Sequence, residues 1–203
     1  MPIGPGGLDP NGIWQFGEDD SEALASDLLN LGMSSVSTAI GSLPAPADPA
    51  ILQVLSSIKT DTFSSTSVSP VDVTGLSVDI TPSSSSNKIL IMAKVTLGGE
   101  DSGFARLSGG NADTFIGDAA GSRTRTSIGT GKQSGDFNIR PGIFDGTIVY
   151  LDSPATTSTV TYKVQIESGN AGDSVTLNYS FGEGTDARYG RYASSITVME
   201  VAG

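Results

Sequence analysis

Alternating apolar and polar residues run through the C-terminal part of the chain, most clearly in Thr159–Glu167. Every second residue of this stretch is apolar, namely Val160, Tyr162, Val164 and Ile166. Such alternation in β-branched and aromatic residues is typical of a half-buried antiparallel strand. Because a single strand cannot bury its apolar face alone, the stretch predicts a sheet packed against a second layer.

Short strands of this kind are predicted at intervals along the chain, with Gly-, Pro- and Asn-rich turns between them. They are Asp61–Ser65, Val71–Val73, Leu76–Thr81, Lys88–Leu97, Phe104–Leu107, Asp113–Ile116, Thr147–Leu151, Thr159–Glu167, Ser174–Ser180 and Ser194–Val201. The spacing in Ile51–Ser57 fits either a helix or a strand, and both remain open. The pattern predicts a mainly β fold, an antiparallel jelly-roll-like β-sandwich over residues 51–203.

The expected core of this sandwich consists of the apolar residues at alternate positions of those strands. Its members are Leu76, Val78, Ile80, Ile89, Ile91, Val95, Leu97, Ile148, Tyr150, Val160, Tyr162, Val164, Ile166, Val175, Leu177, Ile196 and Val198.

The first 17 residues are rich in Gly and Pro and predict neither helix nor regular strand. They nevertheless contain the single tryptophan, Trp14, flanked by Ile13 and Phe16. One interpretation is a terminus without a binding role. We favour an extended arm whose three large apolar side chains insert into a partner.

One or two short helices are predicted after the arm. In Glu18–Gly32, Asp19 is placed as N-cap with Glu22 three residues later, and the apolar face consists of Leu24, Leu28 and Leu31. Val36, Ile40 and Leu43 repeat the helical spacing. The leucine face fits either a coiled-coil seam in a trimer or packing on the chain's own β-domain, and both remain open.

A Pro/Ala-rich linker over residues 44–50 separates a docking segment, residues 1–43, from the β-domain, residues 51–203. Charge divides close to this boundary. Residues 1–58 contain seven acidic side chains and no Lys or Arg, so −7 of the net −11 lies there and −4 in the remainder. A surface that receives the N-terminal segment would favour neutral or basic groups.

The composition narrows the possible chemistry. The chain has no cysteine and no histidine, which excludes disulfides, thiolate or imidazole metal sites and His-dependent nucleophiles. Carboxylate pairs such as Asp136 and Asp145 remain for a glycosidase-type mechanism. The net charge argues against nucleic acid or an anionic membrane as partner, and no signal-peptide or membrane-spanning pattern is present. We expect no enzyme activity, catalytic residue, cofactor or metal.

Two stretches are candidates for a recognition surface. The long connection over residues 117–140 carries Arg123, Arg125 and Lys132; its Gly129–Gln133 stretch lacks the first glycine and the Ser/Thr of a phosphate loop. A lateral contact with a neighbouring subunit would give the same sequence. The second stretch contains Arg188, Tyr189, Arg191 and Tyr192, which suit either an interface anchor or a turn that covers the core edge.

Acidic residues at positions 100, 101, 113, 118 and 136 could gather around calcium, but their spacing matches no EF-hand or comparable loop, and we favour scattered solvated acids as the explanation.

Several segments resemble those of tailed-phage virion proteins. They are Ile51–Phe63, Val71–Pro82, Ser86–Leu90, Thr161–Gln165 and Ser195–Ala202. Gly12–Phe16 and Ser26–Gly32 resemble the short N-terminal modules of phage minor tail and fibre proteins. The resemblance implies a virion protein that docks to other virion proteins through residues 1–43. It also implies a homotrimeric β-domain that faces outward, where it could bind a host cell-surface glycan or protein. A capsid decoration protein and a glycan-depolymerising spike are the alternatives.

Overall fold

The computed structural model describes residues 50–99, 101–130, 143–180 and 189–203, together with the backbone of two short N-terminal strands. The chain divides into two compact units, Met1–Asp48 and Pro49–Gly203. In the first unit, β1 (Gly7–Leu8) pairs antiparallel with β2 (Trp14–Gln15). The prediction of no regular strand here was wrong, because extended segments can pair their backbone groups whatever their composition. The predicted helices lie outside the described residues.

The described part of the second unit contains ten strands and one short 3-10 turn, Ala112–Thr114. The strands are β3 (Ile51–Lys59), β4 (Phe63–Ser65), β5 (Val71–Ile80), β6 (Lys88–Gly99), β7 (Gly103–Ser108), β8 (Ile128–Gly129), β9 (Phe144–Asp152), β10 (Val160–Ser168), β11 (Val175–Leu177) and β12 (Ser194–Val201). The ambiguous segment that starts at Ile51 is therefore a strand.

Within the described residues of this unit, every strand pairing is antiparallel, and the strands form two sheets. The four-stranded sheet has the order β5-β10-β7-β8. In the six-stranded sheet, the long strand β6 pairs first with β12 and then, further along, with β11. β3 pairs with β12, and β4 pairs with β11. β9 also pairs with β6. If β3 and β4 count as one position and β12 and β11 as another, each sheet is four strands wide. The strand order is then that of a jelly roll with eight strand positions. The predicted jelly-roll-like sandwich is confirmed.

The core lies between the two sheets. Every predicted core residue is buried except Tyr150 and Val160, which are partly buried and pack against the core. The structure adds Val73, Ala93, Ala105, Leu107 and Ala112. The alternation of apolar and polar residues along the strands therefore identified the inward faces correctly.

Three of the strand predictions needed correction, β8 was missed within the connection predicted over residues 117–140, and the other bounds shift by up to three residues. Asp113–Ile116 is not a strand, because Gly109 and Gly110 have positive φ and turn the chain into the 3-10 turn. The two predicted strands between residues 71 and 81 are one strand, β5, with a register shift around Gly75, whose φ is +84°. β11 ends at Leu177, since buried Asn178 has a φ of 65°.

A buried hydrogen-bond cluster ties β9 to β10. The Tyr162 hydroxyl donates to Asp152 Oδ2 at 2.6 Å, and Asn111 donates to the same carboxylate through its backbone N–H at 3.1 Å and its side-chain amide at 3.0 Å. Burial, together with the hydrogen bond and charge of Asp152, raises the pKa of Tyr162 above its ordinary value. The cluster allows a carboxylate to remain in the core.

We expect Tyr162→Phe to lower the free energy of unfolding by about 1.5–3 kcal/mol, because the buried Asp152 carboxylate loses one of its donors. Urea denaturation of the variant and wild type measures the difference. Tyr150→Phe is the matched control, since Tyr150, on β9 of the other sheet, is only partly buried. Equal losses in the two variants would contradict a specific role for the Tyr162 hydroxyl.

A second buried carboxylate, Glu200 of β12, lies near one end of the sandwich. Its Oε1 accepts from Ser83 N–H, from the Ser83 hydroxyl at 2.7 Å and from the Asn87 amide at 2.7 Å, while Oε2 accepts from Gln53. Burial alone would raise the pKa of Glu200, but these hydrogen bonds hold it at about 2. Glu200 therefore joins β12 to β3 and to the connection between β5 and β6.

Candidate functional site

The outward face of the four-stranded sheet is polar. Asp72 accepts from Lys163 at 2.7 Å and from the Gln165 amide at 2.7 Å, and Arg106 Nε donates to Gln165 Oε1 at 3.2 Å. The hydrogen bond from Lys163, then that from Gln165, lowers the pKa of Asp72. Charged side chains bonded across strands are typical of a sheet face that remains in water.

The outward face of the six-stranded sheet is apolar instead. The strand register places Val54, Met199, Leu90 and Leu151 in one continuous row across β3, β12, β6 and β9. Met92 and Val149 pair in the next row, and Ile51 pairs with Val201 on the other side. We call this set of eight residues the apolar face.

Several members of the apolar face are well exposed: Val54 by 57%, Val149 by 52% and Leu151 by 48%. Ile58 of β3 is also 69% exposed; it points outward opposite Ser195, two positions along the strand from Ser56. Single exposed apolar residues are ordinary, but a contiguous apolar area on a soluble domain marks an interaction surface. The contrast with the other sheet makes the apolar face the strongest candidate functional site.

The sequence of β6 accounts for part of this face. Ile89, Ile91 and Ala93 point into the core, whereas Leu90 and Met92 point outward between them. A strand that is apolar on both faces is suited to burial on both faces. β9 repeats the arrangement, with Ile148 buried and Val149 and Leu151 exposed.

Charged groups border the apolar face at one end. Lys94 forms an ion pair with Asp145 at 2.8 Å, and the Thr96 hydroxyl donates to Asp145 at 2.7 Å. The hydrogen bond from Lys94, then that from Thr96, lowers the pKa of Asp145. This carboxyl is therefore unsuited to act as a general acid, and Asp136, its possible catalytic partner, lies outside the described residues.

β9 forms one edge of the six-stranded sheet. It pairs with β6 and has no second partner strand among the described residues. Its sequence contains no Lys or Pro, but it carries Asp145 and the buried Asp152, charged residues of the kind that limit edge pairing. The apolar face therefore extends to the edge of the sheet, while the two aspartates oppose strand addition at that edge.

The predicted recognition residues lie on two different parts of the sandwich. Arg123 and Arg125 are on the connection that leads to β8, where Arg125 Nε donates to the Gly117 carbonyl at 2.7 Å. Tyr189, Arg191 and Tyr192 immediately precede β12.

The residues before β12 pack near the end of β11. The Arg191 guanidinium lies over the Tyr179 ring at 5.6 Å, and the Tyr192 N–H donates to the Asn178 carbonyl at 3.0 Å. Their role in recognition stays a prediction. Lys132 and Arg188 lie outside the described residues, as do the predicted docking side chains Ile13, Trp14, Phe16, Leu24, Leu28 and Leu31.

Among the described residues, no group of three or more acidic side chains is placed to share a metal ion. Asp101 instead accepts from the Asn170 amide, and residues 100 and 136 are not among those described. Within the described part of the chain, no helix has the length and apolar character needed to cross a membrane.

Comparison with known proteins adds no relative: no family model matches the chain, and no curated protein is significantly similar to it.

Proposed function

We propose that this chain is a non-enzymatic structural protein of a tailed-phage virion, a short fibre, spike or minor tail protein. The observation that carries the proposal is a jelly-roll domain with one polar and one apolar outward face. Jelly rolls are common in viral capsid and lectin domains, so the fold raises the prior by analogy. The apolar face adds a physical reason for assembly, since exposed apolar area is stabilised by a partner.

In this proposal the two compact units have different tasks. Residues 1–43 dock to other virion proteins, and residues 51–203 form a homotrimeric β-domain that is exposed on the particle. The segments that resemble phage minor tail and fibre proteins support this division, as does the boundary between the units at Asp48 and Pro49. Arg123, Arg125, Tyr189, Arg191 and Tyr192 are the described residues proposed to contact a host glycan or protein.

Immunogold labelling of virus particles with an antibody against residues 51–203 tests the proposal. We expect label on the tail or its fibres. Label spread evenly over the capsid would instead support a decoration protein, which shares the fold and the apolar face. Absence of the protein from purified particles would contradict both.

A glycan-depolymerising spike is a weaker candidate, because such spikes usually have long repetitive β-helical sequences and this sequence has no such repeat. Incubation of the protein with host capsule or cell-wall polysaccharide should release no oligosaccharide. Release by wild type that is lost in Asp145→Asn would overturn the non-enzymatic assignment.

A further inference from the structure

We infer that the apolar face of the six-stranded sheet is the surface through which copies of this chain associate. The inference concerns which surface is used. It does not require the virion assignment, whereas the number of copies, three, belongs to the function proposed above.

The size of the face suits the centre of a protein interface. Four strands about 4.8 Å apart and six residue steps of about 3.4 Å each, from Lys88 to Lys94, give roughly 19 by 20 Å, or about 400 Å², for the sheet area that contains the apolar face. A standard interface buries about 800 Å² on each partner. The apolar face would supply the core of such an interface together with Ser56 and Thr197, which continue the row of Met92 and Val149, and polar residues at its border, including Thr147, would supply the rim.

Charge favours a second copy over a charged partner. The chain carries a net charge of −11, so two copies repel each other over most approaches. Among the described residues, the charged outward side chains around the apolar face are Lys88, Lys94 and Asp145, and the last two form an ion pair. These described residues sum to +1, in contrast to the negative charge of the whole chain, so two copies can approach here with less repulsion than elsewhere.

Apolar attraction is not directional, so the same face on a second copy is a suitable complement. Two such faces can pack about 10 Å apart, as sheets do within a sandwich. The same surfaces can also turn toward a common three-fold axis. Either arrangement buries Val54, Leu151 and Met199, which otherwise remain in water.

The first test is the oligomeric state of the full chain, measured by light scattering after size exclusion and by sedimentation. We expect an oligomer for wild type and a dissociation constant at least about 100-fold higher for Val149→Lys, which places a charge in the interface core. The matched control is Thr74→Lys, an exposed position on β5 of the other sheet, which should behave as wild type.

A monomeric wild type, or an oligomer that survives Val149→Lys, would overturn the inference. Dimers that dissociate in Val149→Lys would support the surface and contradict the trimer, so the two proposals fail separately. Circular dichroism checks that each variant keeps its β spectrum.

A second measurement does not depend on the folding of a lysine variant. Because the chain has no cysteine, Val149→Cys introduces a unique thiol. We expect its reaction with a maleimide to be at least about 10-fold slower than that of Thr74→Cys, since an interface core excludes water, and to accelerate on dilution as the oligomer dissociates. Protection that does not change with concentration would mean that the same chain covers the face. Equal rates for both thiols would mean that the face is open. Either result overturns the inference.

Discussion

Replacing Glu200 with alanine should lower the free energy of unfolding by about 3–4 kcal/mol, because several buried or half-buried donors lose their acceptor together. Ser83, Asn87 and Gln53 all donate to this carboxylate, which is fully buried. A loss of this size is a large part of the roughly 5–15 kcal/mol that stabilises a typical domain.

Chemical denaturation measures this loss, and two variants separate its causes. Glu200→Gln keeps the volume but removes the charge, so we expect about half of the alanine effect, since hydrogen bonds to charged groups are the stronger ones. Asp79→Ala removes an exposed carboxylate from β5 and should change stability by less than about 0.5 kcal/mol. If Asp79→Ala were as damaging as Glu200→Ala, the effect would come from net charge and not from the buried cluster.

The same carboxylate predicts the pH dependence of stability. The pKa of Glu200 lies at about 2 in the folded chain and near 4.5 when it is unperturbed. Its contribution is therefore complete above about pH 4.5 and is lost as the pH falls from there through about 2. The lowered pKa values of Asp72 and Asp145 act in the same sense, whereas that of Glu167, raised by burial, acts in the opposite sense. The stability of Glu200→Gln should fall less steeply over this range than that of wild type.

The fold was largely predictable because the strands alternate strictly. In β10 and β12 every second residue is apolar or buried, so parity alone identified the inward face. The errors fell where backbone conformation overrides side-chain pattern. Gly109 and Gly110 turn the chain at positive φ, and no alternation in the neighbouring residues reports that. β8 has only two residues, too few for any periodicity to be visible.

The candidate site was missed for a different reason. The sequence prediction placed the candidate site in a long loop and in a cluster of Arg and Tyr residues. The apolar face is instead assembled from four strands that are distant in sequence. A signal was present in β6, where Leu90 and Met92 interrupt the expected polar parity. What no sequence pattern supplied was the register, which aligns those two residues with Met199 and Val149 on different strands.

Deleting residues 1–43 should leave the β-domain folded and abolish its incorporation into virus particles. β3 begins at Ile51 and pairs along its length with β12, and the Ala202 N–H donates to the Ala50 carbonyl at 2.9 Å. The cut therefore removes none of the sandwich. We expect its melting temperature to shift by no more than about 2–4 °C, the change that 1 kcal/mol produces in a domain of this size. Failure of the truncated chain to fold would contradict the division into two units.

The predicted loss of incorporation rests on the apolar side chains of the N-terminal segment. Burial of Ile13, Trp14 and Phe16 in a partner would contribute about 1.5–3 kcal/mol each, which can offset the entropy cost of ordering a Gly- and Pro-rich segment. In the full-length chain, Trp14→Ala should therefore reduce the amount of this protein in purified particles without changing the stability of the β-domain. Asp9→Ala, in the same segment, is the control and should assemble as wild type. If the truncated chain still assembled, docking would have to use the β-domain instead, and the apolar face would be the first surface to mutate.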